Sequence, residues 1–486
     1  MKLITNRPEF YNDLCEEIRL FLPRAEIALD AETEGDDSVI TAMLSADGEF
    51  TAFAEYVCGG AVFSHTHRAP YRGGSEIVEK RYAKRAIKTA VFRALRKAFP
   101  DKLIPWGSLT GIRPTRLLRE LIETEGYPEA MRLMREEFDV EESKLSLADK
   151  ICRVQAPILE SAGPNEFGVY VGIPFCRTRC LYCSFASQLR TKKTDMAAYL
   201  AALHRDIELG SAMAKDKGLA ARSFYMGGGT PTILTAGELD ALLDKVCSCY
   251  DTAGKEFTVE AGRPDTITLE KLNVMKAHGV TRVSVNPQTM CDNTLRLVGR
   301  DHTSDDIIRC FGEVRSVGFD SVNMDLIAGL PGETETEMKA SLAAAEALEP
   351  DCLTVHTLAI KRASRLHERM DEYALPSVET VETMVEMGRE TAEKMGMLPY
   401  YMYRQKYMAG NLENVGYSKP DSICIYNIDM MEDALSIMAH GAGAMTKCVI
   451  DGGRRIERVP NPKDIATYIE KIESTNRARE ELFGQK

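Results

Sequence analysis

Three cysteines stand close together in "VGIPFCRTRCLYCSF", at positions Cys176, Cys180 and Cys183. The segment directly follows a strand pattern, and no histidine lies nearer to it than His204. Structural zinc sites usually take four Cys or His ligands, so an isolated group of three thiols indicates another metal. Three thiolates suit three irons of a [4Fe–4S] cluster and leave the fourth iron open. We therefore expect these cysteines to be the metal ligands and the catalytic centre.

The region around this loop has a regular alternation of elements. Between residues 167 and 360, short β-type runs alternate with longer helical patterns in six strand-then-helix units. The strand candidates are "FGVYVGI", "SFYMGGG", "EFTVEAG", "RVSVNPQ", "SVNMDLIAGL" and "CLTVHTL". Such units predict parallel strands joined by crossover helices, an α/β fold. We expect a partial (β/α)6 barrel whose functional residues follow the C-terminal ends of the strands.

Polar and glycine residues stand at those strand ends. "GGGTPT", residues 227–232, ends the second strand, where glycines allow close backbone approach and exposed N–H groups could bind a carboxylate. Glu260 ends the third strand, Gln288 the fourth and Asp325 the fifth. Arg300 lies in the helix and loop after the fourth strand. Because parallel strands end at one face of the barrel, these residues predict a ligand site beside the cysteines.

The chain is long enough for several domains. We expect an N-terminal α+β accessory domain over residues 1–150, the barrel with its cluster over 151–365, and a mainly helical extension that covers the substrate over 366–486. The first of these contains "EKRYAKRAIKTAVFRALRKAF", a basic amphipathic helix. Its charges form either a solvated face or an anion-binding surface, and the pattern favours the solvated face.

Composition limits the partners and the compartment. The net charge of −12 over 486 residues argues against general binding of nucleic acid or of an anionic membrane. No run approaches the roughly 20 apolar residues of a membrane span, and the N-terminal stretch has no apolar leader. Thirteen scattered cysteines without a secretory signal indicate reduced thiols. The sequence therefore predicts a cytoplasmic protein.

The cysteine spacing, at the end of the first barrel strand, resembles the radical S-adenosylmethionine enzymes. The resemblance implies two cofactors, a [4Fe–4S] cluster and S-adenosyl-L-methionine bound at its open iron. It also implies an electron donor, a reduced flavodoxin or ferredoxin. One electron from the cluster then cleaves the cofactor to a 5′-deoxyadenosyl radical, which removes a hydrogen atom from the substrate.

Longer segments resemble one group within these enzymes. "YVGIPFCRTRCLYCSF", "GGGTPT", "RVSVNPQT" and "NMDLIAGLPGET" resemble the oxygen-independent coproporphyrinogen III oxidases, and "GIRPTR", "VHTLAIKRAS", "YMYRQKYMAGNLENVGYSKP" and "GAGA" resemble their HemZ-type branch. The resemblance covers nearly the whole chain. It implies a step of porphyrin and haem biosynthesis, the oxidative decarboxylation of two propionates of coproporphyrinogen III to the vinyl groups of protoporphyrinogen IX.

The same resemblance assigns residues to ligands. The contacts to the cofactor at the cluster would be Tyr170, Gly228, Glu260 and Ala359. A second S-adenosylmethionine, so that one or two bind, would be lined by Tyr182, Gly229, Thr230, Gln288, Arg300 and Asp325. The tetra-anionic tetrapyrrole substrate needs cations, for which the candidates are Arg113, Arg116, Lys361, Arg362, Arg404 and Lys406.

Two positions differ from the best-studied branch of the group. That branch has a fourth cysteine where this chain has Phe185, and a histidine where it has Gly172. Three cluster ligands remain, but two alternatives to decarboxylation stay open. The first is another radical tetrapyrrole enzyme, which transfers a methyl group or opens the haem ring. The second is a haem chaperone, a branch expected to carry a histidine–asparagine motif ending in tyrosine–tryptophan, whereas the single tryptophan here is Trp106.

Overall fold

The computed structural model describes residues 1–23, 25–29, 38–70, 76–111, 113–185, 187–405, 408–453 and 455–485. The chain divides into two compact units, one of Met1–Asp149 with Gly410–Leu412 and the other of Lys150–Ala409 with Glu413–Lys486. The three-part organisation with boundaries at residues 150 and 365 stays a prediction from the sequence. None of the helices in the described ranges is long and apolar enough to cross a bilayer.

The first unit is an α+β domain around a five-stranded sheet. Its strands are β1 (Lys2–Thr5), β2 (Ala28–Leu29), β3 (Ser38–Ala46), β4 (Glu49–Cys58) and β5 (Ala61–Pro70), in the order β2-β1-β3-β4-β5. Its helices are α1 (Tyr11–Phe21), α2 (Glu76–Ala98), α3 (Pro114–Glu125) and α4 (Tyr127–Arg132), followed by the π-helical turn Leu133–Glu137. Buried apolar residues of β3, β4, α1 and α2 form one core. The alternation of buried residues along β4 reflects a sheet with one face on that core.

Helix α2 is the basic helix expected from the sequence. Many of its cations pair with carboxylates of the same unit: Arg81 with Glu120, Lys84 with Asp13, Lys88 with Glu17 and Arg93 with Asp139. The Lys97 ammonium donates to the carbonyl of Ser64 at 2.6 Å. Since these charges are used within the unit, the structure supports a solvated, internally paired face rather than an anion-binding surface.

The second unit contains the six predicted parallel strands. After helix α5 (Glu142–Glu160), which begins before the unit boundary, they are β6 (Glu166–Ile173), β9 (Ala220–Gly228), β10 (Glu256–Gly262), β11 (Arg282–Gln288), β12 (Ser321–Ala328) and β13 (Cys352–Thr357). They pair in chain order, each parallel to the next. The short strands β7 (Phe175–Cys176) and β8 (Gln188–Leu189) form a separate ribbon in the cysteine loop. The expected α/β architecture of a partial barrel is confirmed.

Helices join these strands as crossover connections. They are α6 (Met196–Asp216), α7 (Ala236–Cys249), α8 (Leu269–Ala277), α9 (Asp292–Leu297), α10 (Ser304–Val317) and α11 (Glu335–Leu348). Threonines Thr235, Thr303 and Thr334 start α7, α10 and α11 with capping boxes, in which side chains satisfy the first free N–H groups. These caps hold the helix starts, and hence the loops that follow the strands, in defined positions.

The C-terminal region adds helices, as predicted, and also five strands that the sequence analysis did not identify. In chain order its elements are α12 (Arg365–Glu368), α13 (Val378–Lys394), β14 (Leu398–Tyr403), β15 (Asn414–Ser418), α14 (Ile425–Met431), β16 (Ser436–His440), β17 (Met445–Ile450), β18 (Arg455–Pro460) and α15 (Ile465–Phe483). The full sheet order is β14-β15-β13-β12-β11-β10-β9-β6-β16-β17-β18. Strand β16 lies parallel to β6, so the sheet continues past the first strand of the barrel. Short apolar runs such as "SIMAH" do not distinguish strand from helix by their periodicity.

Candidate functional site

The cysteine loop leaves β6 and is anchored by backbone hydrogen bonds. The N–H of Arg190 donates to the carbonyl of Cys176 at 3.0 Å, and the N–H of Cys183 donates to that of Cys180 at 3.1 Å. The N–H of Leu181 donates to Val298, in the loop after α9, at 2.9 Å. All three thiols are free and partly exposed. The backbone is therefore fixed while the sulfurs stay accessible to a ligand.

The surroundings of the three sulfurs differ. The Thr230 hydroxyl lies 3.6 Å from Cys176 Sγ, and Arg263 Nη1 lies 4.0 Å from Cys180 Sγ. Burial raises the pKa of the Cys183 thiol. Within the described ranges, no three His, Cys, Asp or Glu side chains converge on a single metal ion. A [4Fe–4S] cluster does not require its ligands to converge on one ion, because each thiolate binds its own iron. Three thiols on one loop therefore fit the donor set of a cluster.

The glycine loop after β9 packs backbone to backbone against the start of the cysteine loop. Gly228 has a φ of +107°, and a Cβ at Gly229 would lie 2.5 Å from the carbonyl oxygen of Phe175. The N–H of Gly229 donates to Ile173 at 2.8 Å, and the N–H of Thr230 donates to Phe175 at 2.9 Å. The expectation of exposed N–H groups is therefore wrong at these two positions. The glycines are required here because no side chain fits between the two segments.

The carboxyl group of Glu260, in β10, lies next to tyrosine side chains of the neighbouring strands. Its Oε1 accepts a hydrogen bond from the Tyr225 hydroxyl at 2.6 Å, and the ring of Tyr225 stacks on that of Tyr170, with centroids 6.3 Å apart. Burial raises the pKa of Glu260 to about 7. Tyr170 and Gly228, two other predicted cofactor contacts, adjoin each other, since a Cβ on Gly228 would lie 3.4 Å from the Tyr170 hydroxyl. The carboxyl group can therefore exchange a proton near neutral pH.

Gln288 and Arg300 carry buried polar atoms that have no hydrogen-bond partner among the described residues. Gln288, the last residue of β11, has a φ of +70°, and its Oε1 accepts no hydrogen bond from any described residue. Arg300 donates to the Tyr182 hydroxyl at 3.1 Å and to the Asn286 carbonyl at 2.6 Å, while its Nε makes no hydrogen bond within the described chain. A strained residue and orphaned polar atoms are typical of a ligand site. They fit a polar cofactor beside the cysteines.

Asp325 belongs to a polar cluster that includes a histidine missed by the sequence analysis. Its carboxylate accepts from Asn323 at 2.8 Å and lies 3.7 Å from His356 Nε2. The Tyr403 hydroxyl lies 3.4 Å from His356 Nδ1. Burial raises the pKa of Asp325, but the hydrogen bonds and charge of His356 outweigh it, so the net shift is downward. The signal for His356 was its place in "VHTL", at the end of the sixth strand.

The remaining predicted residues are spread over both units. Ala359 forms a backbone bridge to Met408. Lys361 is half-buried: burial lowers the pKa of its ammonium group and the nearby Cys183 raises it, with a net decrease. Arg404 is buried and Arg362 is exposed, whereas Lys406 lies outside the described residues. Arg113 and Arg116 belong to the first unit, where Arg116 forms an ion pair with Glu120 at 3.2 Å.

A buried charged group behind the cysteine loop was also missed. Arg263 donates through Nε and Nη2 to the carboxylate of Asp265, at 2.9 and 3.0 Å. The buried His302 lies with its Nδ1 4.0 Å from Asp265 Oδ1. The sequence signal was "EAGRPDT", which places an arginine directly after a barrel strand. Only the fold brings it to Cys180.

Fold and site together define the class, and the comparisons agree with it. The family model for the radical SAM superfamily matches residues 170–345. The structure of coproporphyrinogen III oxidase (HemN) from Escherichia coli superposes with a TM-score of 0.53 at 23% identity, covering 67% of this chain and 73% of that one. At that identity the match supports the fold alone.

Two curated relatives narrow the assignment. The oxygen-independent coproporphyrinogen-III oxidase-like protein HemZ of Bacillus subtilis is 36% identical over 462 residues, covering 93% of this chain and 91% of the relative. The heme chaperone HemW of the same organism is 32% identical over 48% of this chain and 61% of the chaperone. The chain belongs to the HemZ-type family of radical SAM proteins. Its cofactors are accordingly a [4Fe–4S] cluster and S-adenosyl-L-methionine.

Proposed function

We propose that this protein is an oxygen-independent coproporphyrinogen III dehydrogenase, which oxidatively decarboxylates two propionates to vinyl groups and forms protoporphyrinogen IX in haem biosynthesis. The observation that carries the proposal is the relation over 93% of the chain to a protein named as oxygen-independent coproporphyrinogen-III oxidase-like. The three thiols on one loop, with Arg300 bonded to Tyr182 of that loop, support the radical chemistry that this reaction needs.

In this proposal the residues at the strand ends share the work. Cys176, Cys180 and Cys183 hold the cluster. The S-adenosylmethionine at the cluster is contacted by Tyr170, Gly228, Glu260 and Ala359. A second molecule of it is lined by Tyr182, Gly229, Thr230, Gln288, Arg300 and Asp325. When bound there, the cluster and S-adenosyl-L-methionine would supply the radical chemistry that removes a hydrogen atom from the substrate. Glu260 can hold or release a proton near neutral pH because burial raises the pKa of its carboxyl group to about 7.

Cations are required by the carboxylates of the substrate. The second unit offers Lys361, Arg362 and Arg404, of which Lys361 is close enough to Cys183 for the thiol to affect the pKa of its ammonium group. Arg113, Arg116 and Lys406 remain candidates from the sequence. We propose a reduced flavodoxin or ferredoxin as the electron donor. A cytoplasmic location, and the expectation of no nucleic-acid or membrane partner, remain predictions from the sequence.

The test is anaerobic reconstitution of the cluster, followed by reaction with dithionite, S-adenosylmethionine and coproporphyrinogen III. Mass spectrometry should detect 5′-deoxyadenosine and a product that has lost CO2. Both products should vanish in a Cys180→Ala variant, which lacks one cluster ligand. They should persist in Cys249→Ala, which removes a partly buried cysteine of helix α7 far along the chain from the loop. An intact cluster that yields deoxyadenosine without loss of CO2 would contradict decarboxylation.

A second candidate is a haem chaperone, because the match to HemW covers 48% of this chain at 32% identity. That function predicts stoichiometric haem binding without any change of the porphyrin. The same reaction mixture with haem in place of coproporphyrinogen separates the cases. An unchanged, bound haem favours the chaperone, whereas a methylated or ring-opened product favours another radical tetrapyrrole enzyme.

A further inference from the structure

Side-chain hydrogen-bond donors lie beside the sulfurs of Cys176 and Cys180, and these donors differ in charge. The donor near Cys176 is the neutral hydroxyl of Thr230, at 3.6 Å. The donor near Cys180 is the guanidinium of Arg263, whose Nη1 lies 4.0 Å from Sγ. This distance is long for a hydrogen bond, but it places a guanidinium whose side chain is only 6% exposed next to the sulfur, and a buried charge is weakly screened.

Arg263 is held in this position on several sides. Its Nε and Nη2 donate to the two oxygens of Asp265, and both side chains are buried, 6% and 7% exposed. The N–H and the hydroxyl of Thr266 both donate to the Arg263 carbonyl at 3.0 Å, which fixes the backbone. With the Nε/Nη2 edge of the guanidinium occupied by Asp265, the hydrogens of Nη1 are left for the Thr178 hydroxyl and for Cys180. The side chain therefore points at the cysteine loop.

We propose that Arg263 raises the reduction potential of the cluster through the sulfur of Cys180. The inference rests on the proposed function, in which Cys180 is a cluster ligand. Reduction adds one electron, and the negative charge on the sulfurs increases. A cation and an N–H group beside one sulfur stabilise the reduced state more than the oxidised state. Asp265 acts through Arg263 as a positioning residue, because it holds the guanidinium by two hydrogen bonds.

The test is a redox titration, followed by electron paramagnetic resonance, of the anaerobically reconstituted full-length protein and its variants. Iron and sulfide content are measured first in each sample. Arg263→Met removes the positive charge and the Nη1 hydrogens that face Thr178 and Cys180. The equilibrium constant for one-electron reduction of the cluster should then fall tenfold or more. For a one-electron couple a tenfold fall corresponds to a shift of about 59 mV to a more negative potential. Arg263→Lys keeps the charge without the fork and should give a smaller negative shift.

The matched control is Arg177→Met. Arg177 lies in the cysteine loop, and its Nη1 donates to the carbonyl of Asp265 at 3.0 Å, but its side chain is 55% exposed. Its removal should change the potential far less, since water screens its charge. A shift of equal size in this variant would overturn the proposal in favour of general electrostatics.

The remaining outcomes are also decisive. An Arg263→Met protein with full iron content and the wild-type potential overturns the inference and leaves the proposed function intact. Loss of the cluster from both Arg263→Met and Arg263→Lys would assign Arg263 a purely structural role and likewise overturn it. A wild-type protein that binds no cluster contradicts the proposed function itself, because the absorbance and the resonance signal of the cluster would then be missing.

Discussion

Two buried histidines in the second unit each lie beside an aspartate, but they differ in how many hydrogen bonds their ring nitrogens make. His440, at the end of β16, has both ring nitrogens bonded, Nδ1 to Asp206 at 3.2 Å and Nε2 to the Tyr250 hydroxyl at 2.8 Å. His302, behind the cysteine loop, lies 4.0 Å from Asp265, and neither of its nitrogens has a hydrogen-bond partner in the part of the chain that the structure describes. Burial lowers the pKa of both histidines, that of His302 to about 4.

The difference teaches what each region is for. Asp206, on α6, accepts hydrogen bonds from α15 and from the end of β16, since Arg479, the Tyr468 hydroxyl and the Gly441 N–H also donate to its carboxylate. This network connects α6, α15 and β16, next to the first strand of the barrel, with which β16 pairs. The cysteine side instead leaves atoms of Gln288, Arg300 and His302 without partners in the described chain. In the Asp206 network the carboxylate and the histidine are both bonded, which stabilises a fold, whereas the buried unpartnered atoms beside the barrel's strand ends are candidates for binding a ligand.

The largest effect on stability is expected at the hydrogen-bond network around Asp206. Arg479→Met leaves the Asp206 carboxylate buried without its main counter-charge, so the free energy of unfolding should fall by about 3–5 kcal/mol. Denaturant unfolding at neutral pH measures this value. The control is Glu473→Gln, which breaks an exposed ion pair with Arg205 and should cost about 0–1 kcal/mol. Equal costs for the two variants would show that the Asp206 network does not stabilise the unit.

The next effect concerns two buried carboxyl groups with opposite shifts. Burial raises the pKa of Asp206, but the charges of Arg479 and His440 outweigh it and hold the pKa well below its usual range. Burial raises the pKa of Glu260 from 4.5 to about 7. Between pH 4.5 and about pH 7, Glu260 in the folded protein keeps a proton that it has lost in the unfolded chain. The free energy of unfolding therefore falls as pH rises through this window, by about 1.4 kcal/mol per pH unit for one proton.

Glu260→Gln should remove this contribution, so the loss of stability between pH 5 and pH 7 should be smaller in the variant than in the wild type. Unfolding curves at the two pH values measure the difference. Asp429, whose carboxyl pKa burial also raises to about 7, contributes in the same direction and remains in both proteins. An identical pH dependence of the wild type and the variant would contradict the raised pKa of Glu260.

A smaller effect compares the two histidines directly. His440→Leu leaves Asp206 and Tyr250 each without one hydrogen bond, and we expect a cost of about 1–3 kcal/mol. His302→Leu removes ring nitrogens that no described residue bonds, so the free energy of unfolding of the cluster-free protein should change by less than about 1 kcal/mol. Thermal or denaturant unfolding of both variants checks the order. A larger cost at His302 would mean that its nitrogens are bonded in solution.

The smallest effect separates strain at the site from strain elsewhere. Gln288 and Glu349, at φ values of +70° and +52°, are non-glycine residues in the left-handed region, and Glu349 is an exposed helix C-cap. Glycine at either position should relieve about 1 kcal/mol of strain. Isothermal titration with S-adenosylmethionine should show weaker binding for Gln288→Gly alone. Weakened binding in both variants, or in neither, would remove Gln288 from the proposed site.

Much of the site follows from the sequence because its elements are local. The three cysteines share one loop, so their spacing predicts a cluster without any knowledge of the fold. The six strands and the polar residues at their ends, such as Glu260 and Asp325, follow from repeating patterns of apolar and polar residues. The five added strands were missed, since short apolar runs near the end of the chain carry no periodic signal.

Tertiary structure decided the contacts between distant residues. Arg263 meets Cys180 across 83 positions, and Asp206 meets His440 across 234. It also decided that the N–H groups of Gly229 and Thr230 bond within the chain, and that Gln288 adopts a positive φ. The sequence by itself determined the cysteine loop, the parallel strands and the family resemblance, because these depend on neighbours along the chain. Which charge lies beside which sulfur depends on how whole elements pack, and no local pattern encodes that.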